Sequence, residues 1–221
     1  MCGIVISMTS DMWNRLGEAD RSLRTDTRDG DEVWVLVVEK DYPAPVDQVW
    51  HAVTTGERIS RWLGPVSGDL ELGGRFQIEG NAGGTVLQCE APRLLEVTWE
   101  FGGGLSWVQV TLTEAAEGTR LRLEHSASVD DDTRKQFGPG ALGIGWELGL
   151  GGLGLHLADP TEPSGDPDYG DPGYPAYVRR VGAAWMEADI AAGTGPEEAR
   201  VAAERCVAAY TAPPEAPAED G

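Results

Sequence analysis

The chain has 221 residues and a mass of 23.6 kDa, with 37 acidic against 17 basic side chains, a formal charge of −20 and a pI near 4.3. That length supports one well-buried domain with an appendage. The acidity argues against nucleic-acid binding, which needs clustered Lys and Arg against phosphate, and against docking on an anionic membrane.

Cys2, Cys89 and Cys206 are odd in number and far apart, so neither a disulfide framework nor a CxxC metal pair is expected. They read as free thiols of a reducing compartment. No opening stretch combines a basic start, an apolar core and a small-residue cleavage site. The most apolar window, 141–158, is short of the roughly 20 residues a bilayer needs and carries Glu147 and His156. A cytoplasmic protein is expected.

Residues 1–32 are polar, with a short amphipathic helix predicted over 11–23 from Met12, Leu16 and Ala19. The β-branched run 33–39 predicts a strand, closed by Pro43-Ala44-Pro45. Val46, Val49, Trp50 and Val53 then share a helical face over 46–54, and Ile59, Trp62 and Leu63 mark a second short helix over 57–63. From Gly64 the period changes to alternation. Six strands are predicted at 69–72, 74–79, 85–90, 94–101, 106–113 and 119–126, with turn-rich separators that imply an antiparallel meander. Leu95, Val97, Trp99 and Phe101 fall on one face. Leu121, Leu123 and His125 form a second row, and Val108, Val110 and Leu112 a third.

Trp146, Leu150, Leu153 and Leu157 recur at helical intervals within 141–158. Six glycines in that segment weaken a helix but allow very close packing. Residues 159–175 form a Pro/Gly/Asp linker. Two helices are predicted within 176–211 as a hairpin: Tyr177, Val181 and Trp185 stripe the first, and Ala199, Ala203, Cys206 and Tyr210 the second. They should pack on the core or on a second copy of the chain, as in a homodimer. Residues 212–221 read as a disordered tail.

Few motifs carry chemistry by spelling alone. Met1-Cys2-Gly3-Ile4-Val5 opens like an N-terminal-nucleophile amidotransferase, but the polar residues after it do not read as that fold's first strands. Gly149-Leu-Gly151-Gly-Leu-Gly154 spells G-x-G-x-x-G, yet a helical pattern precedes it and Pro160 follows, so no dinucleotide cofactor is implied. His51, His125 and His156 share no ligand spacing, and no metal is expected. His125 shares a face with Leu121 and Leu123. It is either a hydrogen-bonded core histidine or a polar group lining a cavity. The tryptophans read as ordinary packing or as an aromatic-lined pocket.

The order strand, two short helices, meander, long helix is that of the helix-grip fold. Tyr42-Pro-Ala-Pro-Val-Asp-Gln-Val-Trp50 resembles the entry motif of the SRPBCC (START-like) superfamily, and Glu57-Arg-Ile-Ser-Arg-Trp-Leu63 its second helix. Leu72-Gly-Gly-Arg-Phe76, Cys89 to Leu95, Val97-Thr-Trp99 and Gly145-Trp146 continue the match in order, over about 33–158. The nearest branch is that of homologues of the activator of the heat-shock-protein-90 ATPase, similar also to polyketide-cyclase-like proteins. The cochaperone role in the branch name belongs to larger proteins and is not carried over. The resemblance implies an α+β architecture, a curved antiparallel sheet of six or seven strands wrapped around a long helix, enclosing a cavity for apolar molecules.

The resulting expectation is a protein that binds a hydrophobic or aromatic small molecule between the sheet and helix 141–158, without a cofactor. Trp62, Phe76, Trp99, Phe101 and Trp146 would form the walls, with His125 as polar anchor. Two alternatives stand beside it. A cyclase-like enzyme would use His125 as acid or base, and an interaction or chaperone-regulating module would have a filled core and an exposed apolar patch.

Overall fold

The computed structural model describes Trp13 and residues 19–129, 132–161 and 171–212. The Met1–Val5 opening, the centre of the 159–175 linker and the tail beyond 212 lie outside the described residues. Eight strands form one antiparallel sheet: β1 (Asp20–Arg28), β2 (Asp31–Tyr42), β3 (Val66–Gly68), β4 (Arg75–Ile78), β5 (Gly83–Glu90), β6 (Leu94–Phe101), β7 (Gly104–Ala115) and β8 (Gly118–Ser128). Their order is β1-β2-β8-β7-β6-β5-β4-β3. Among the described residues six helices accompany them: α1 (Val46–Thr54), α2 (Gly56–Ile59), α3 (Asp132–Phe137), α4 (Gly140–Ala158), α5 (Tyr174–Ala191) and α6 (Pro196–Thr211).

This is the helix-grip architecture, with eight strands rather than six or seven. The extra strand is β1. Its first residues, 20–23, overlap the helix suggested over 11–23, and its turn explains why they are strand; residues 11–12 and 14–18 of that segment lie outside the described residues. Asp29 and Gly30 both adopt positive φ, 53° and 94°, as a two-residue primed turn requires. That turn lays β1 against β2 with Arg21 opposite Val38, Leu23 opposite Leu36 and Thr25 opposite Trp34. The strand expected at 69–72 is instead the shorter β3. Residues beyond α2 continue as turns, with the Leu63 amide bonded to the Ile59 carbonyl at 2.9 Å.

Alternation then decides the inner face. In β8, Thr119, Leu121, Leu123, His125 and Ala127 are all buried, with half-exposed residues between them. His125 stands opposite Leu36 on one side and Val108 on the other. α4 lies across this face with Trp146, Leu150, Leu153 and Leu157 buried, as their spacing predicts. Tyr42 at the end of β2 donates its hydroxyl to the Leu150 carbonyl at 2.8 Å.

The glycines of α4 permit a close approach on its other side. A methyl group at Gly143 would overlap the Trp185 indole, so α5 can sit against α4 only while position 143 has no side chain. Tyr177, Val181 and Trp185 are buried in α5, and Ala199, Ala202 and Cys206 in α6. The Tyr174 hydroxyl donates to the Tyr210 carbonyl at 3.1 Å, which brings the start of α5 to the end of α6. The helical pair therefore runs antiparallel and packs on α4 of its own chain.

Candidate functional site

Between the sheet and α4 the core leaves a cavity of about 90 Å³. Its floor is the inner face of β4 to β8, including Phe76, Val97, Trp99, Val110 and Leu123. Trp146 and Leu150 of α4 form the roof. Val53, Ile59, Trp62 and Leu63, from α1, α2 and the turn after it, close one side. Apart from the tryptophan N–H groups, Thr54 is the one polar residue in this lining, and its hydroxyl donates to the Trp50 carbonyl at 2.7 Å. Trp62 likewise donates its N–H to the Ala52 carbonyl at 2.9 Å.

Four of the six expected site residues, Trp62, Phe76, Trp99 and Trp146, therefore meet at one cavity. Phe101 does not. It is 61% exposed, opposite Gly104 at the tip of the β6–β7 hairpin. The inward row Leu95, Val97, Trp99 simply runs past the end of the covered sheet.

His125 is inward and 1% exposed, as strand phase requires, but it stands behind the cavity wall. Trp146 donates its indole N–H to His125 Nδ1 at 2.9 Å. With Nδ1 accepting, the neutral ring carries its proton on Nε2, which lies 2.9 Å from Ser106 Oγ. Ser106 in turn donates to the Trp99 carbonyl at 2.9 Å. One polar chain thus joins the two wall tryptophans, whose rings lie 5.0 Å apart. Burial pushes the His125 pKa down to about 3, and the ring stays neutral. Its role is to position Trp146. It offers no lone pair to a cavity ligand.

Two residues of consequence escaped the sequence reading. Ser106 precedes Val108 and Val110 on the inward phase, and a polar residue there is the sign of an internal partner. Glu147 follows Trp146 on α4 and is 1% exposed. Its carboxylate receives Arg21 Nε at 2.6 Å and Nη2 at 2.5 Å, and the Trp185 indole N–H at 2.7 Å. Burial pushes this carboxyl pKa up, while Arg21 and Trp185 pull it back. Nothing in the local pattern of α4 names Arg21 as its partner.

A curved antiparallel sheet gripping a long helix over an apolar, tryptophan-walled cavity defines a helix-grip protein of the SRPBCC class. Residues 43–155 match the family model "Activator of Hsp90 ATPase homolog 1-like protein". The chain belongs to that family. Among solved structures it is similar to CalU16 from Micromonospora echinospora, at 32% identity. The crystal structure of CalU16 aligns over 78% of this chain and 99% of its own, with a TM-score of 0.65. The solution structure aligns over 80% and 98%, with a TM-score of 0.68. That coverage exceeds the family-matched span, so the likeness takes in residues outside 43–155. DynU16, a protein of the dynemicin biosynthetic locus, is 28% identical over 59% of this chain and 49% of its own, with a TM-score of 0.53. A search of curated proteins returns no match.

Among the described residues, no helix is long and apolar enough to cross a membrane, and no three His, Cys, Asp or Glu side chains cluster as metal ligands.

Proposed function

We propose that this chain is a cytoplasmic binding protein for a hydrophobic or aromatic small molecule, held between the sheet and α4. The observation that carries the proposal is the cavity itself, a void in an otherwise packed core whose wall polar groups are largely spent on the protein. The Trp62, Trp146 and Thr54 donors already have acceptors. Such a site selects against ligand groups that need hydrogen bonds, because those would be buried unpaired. An apolar ring or chain fits it. About 90 Å³ is smaller than the roughly 150 Å³ engineered apolar cavity that binds benzene, so a slim apolar chain fits it as it stands and a ring enters as the wall side chains shift. The DynU16 relative points to a product or intermediate of small-molecule biosynthesis as the source of such a group.

The enzyme alternative lacks support from this wall, because no cavity-lining residue among those described is titratable and His125 is sequestered.

Native mass spectrometry of protein purified from its own host tests the proposal. The wild-type protein should retain an apolar molecule that Val110→Phe, which fills the cavity, does not. Toluene should raise the melting temperature of the wild-type protein and not of the filled variant. A protein that carries nothing and is not stabilised by toluene would overturn the reading.

A further inference from the structure

Three tryptophans wall the apolar cavity, and two of them are pinned by their side chains. Trp62 donates its N–H to the Ala52 carbonyl and Trp146 to His125 Nδ1, both at 2.9 Å. Trp99 is held differently. Its backbone carbonyl accepts the Ser106 hydroxyl at 2.9 Å, but its indole N–H has no acceptor among the described residues.

Its ring contacts are loose as well. It meets the Trp146 ring at 5.0 Å with the planes 51° apart, between the offset stack and the edge-to-face arrangement that aromatic pairs prefer. It meets His125 edge-on at 6.3 Å, towards the long end of such contacts. Trp99 also stands where the covered sheet ends. It is half-buried and lies opposite the small Ser106. Two residues further along the same row, Phe101 is 61% exposed, so the row leaves its cover just beyond Trp99.

A cavity of about 90 Å³ is smaller than the roughly 150 Å³ that holds benzene, so a ring enters only if a wall side chain moves. Moving Trp62 or Trp146 breaks a hydrogen bond. Moving Trp99 breaks no side-chain hydrogen bond and carries its N–H towards water, which accepts it. It also uncovers the face of Trp146, which His125 keeps in place. A flat aromatic ring is the group that gains most from that exposed face.

We propose that Trp99 is the specificity-determining residue of the cavity: it turns out of the wall towards the β6–β7 tip, and a planar aromatic ligand takes its place against Trp146. The proposal rests on the apolar-cavity reading and narrows its ligand class to flat systems of one or two rings. A slim saturated chain enters with Trp99 still in place.

The test uses the full chain, labelled with nitrogen-15, and two probes, pentane and naphthalene. Pentane needs no displacement and reports whether the cavity binds at all. Loss of a peak in Trp99→Phe, Trp62→Phe and Trp146→Phe assigns the three indole N–H resonances. At saturation with naphthalene the Trp99 N–H should shift and exchange faster with solvent, while those of Trp62 and Trp146 keep their protection. Trp99→Ala should bind naphthalene up to about tenfold tighter than the wild-type protein, because no aromatic pair has to be parted first. If that variant fails to fold, the wild-type exchange measurement decides alone. The proposal is overturned if naphthalene binds with Trp99 unmoved, if Trp62 or Trp146 loses protection in its stead, or if folded Trp99→Ala binds naphthalene no tighter. Binding of pentane with exclusion of naphthalene overturns it and leaves the cavity reading standing. If neither probe binds, the cavity reading fails and takes this inference with it.

Discussion

Trp146 of α4 and His125 of β8 are joined by a 2.9 Å hydrogen bond in which the imidazole is the acceptor. The bond ties the gripped helix to the centre of the sheet and sets the imidazole proton on Nε2. His125→Phe preserves much of the bulk but leaves the Trp146 N–H and the Ser106 hydroxyl short of a partner. Stability should fall by about 1–3 kcal/mol, read as a lower urea midpoint. An unchanged midpoint would show that the bond contributes nothing to stability.

The same histidine makes a pH prediction. The ordinary value of 6.5 describes the ring in the unfolded chain, whereas the folded value is about 3. As pH falls, the unfolded chain takes up this proton first. The stabilisation from the neutral ring is complete above 6.5 and is lost between 6.5 and about 3, at about 1.4 kcal/mol per pH unit. Paired urea titrations should show a slope in the wild-type protein that exceeds that of His125→Phe by this amount. Toluene affinity should stay flat over the upper part of this window, because the ring does not face the cavity.

Glu147 is the buried member of an ion pair whose partner, Arg21, is also largely covered. Removing one member strands the other. Glu147→Ala should cost about 3–5 kcal/mol, and Arg21→Met a comparable amount. The double variant Arg21→Met, Glu147→Leu should lose less than the two single losses combined, since no charge is left stranded. Strict additivity in that cycle would refute a direct coupling.

Two glycines of α4 should respond in opposite senses. Gly143→Ala drives a methyl group into the Trp185 indole and should destabilise by about 1–3 kcal/mol. At Gly149 the added methyl meets Leu63 Cδ1 at 3.5 Å, an ordinary contact. Gly149→Ala should therefore stabilise by about 0.5–1 kcal/mol through helix propensity. Melting temperatures of the pair decide it.

Cys206 is buried, and burial pushes its thiol up to about 12, whereas Cys89 is exposed. A thiol reagent at pH 8 should modify Cys89 in the native protein and reach Cys206 only on unfolding. Equal rates would mean that α6 opens readily.

Much of this was legible because burial writes itself into period. The rows Leu121-Leu123-His125 and Trp146-Leu150-Leu153-Leu157 need only alternation and helical spacing, and both are buried as they predict. Phe101 shows the limit of period: it continues a row correctly, but the row outlasts the surface that covers it. β1 was hidden because its inward positions are Arg21, Leu23 and Thr25, a mostly polar set in which Arg21 answers to Glu147, far along the chain. The clue that survives in the sequence is Asp29-Gly30, the dipeptide favoured in primed hairpin turns. His125 was placed on the right face, but its partners Trp146 and Ser106 come from other elements, and no local pattern specifies them.

The Arg21–Glu147–Trp185 contact also orders events during synthesis. Arg21 leaves the ribosome 126 residues ahead of Glu147, and Trp185 follows Glu147 by 38. A nascent chain that ends after α4 has every strand of the sheet and both walls of the apolar cavity. It still exposes the glycine-lined side of α4, with one hydrogen bond to Glu147 outstanding. The C-terminal hairpin is therefore a closing step: it covers a helix already gripped by the sheet, and until it arrives the finished-looking core keeps a sticky flank for chaperones or neighbouring chains to find.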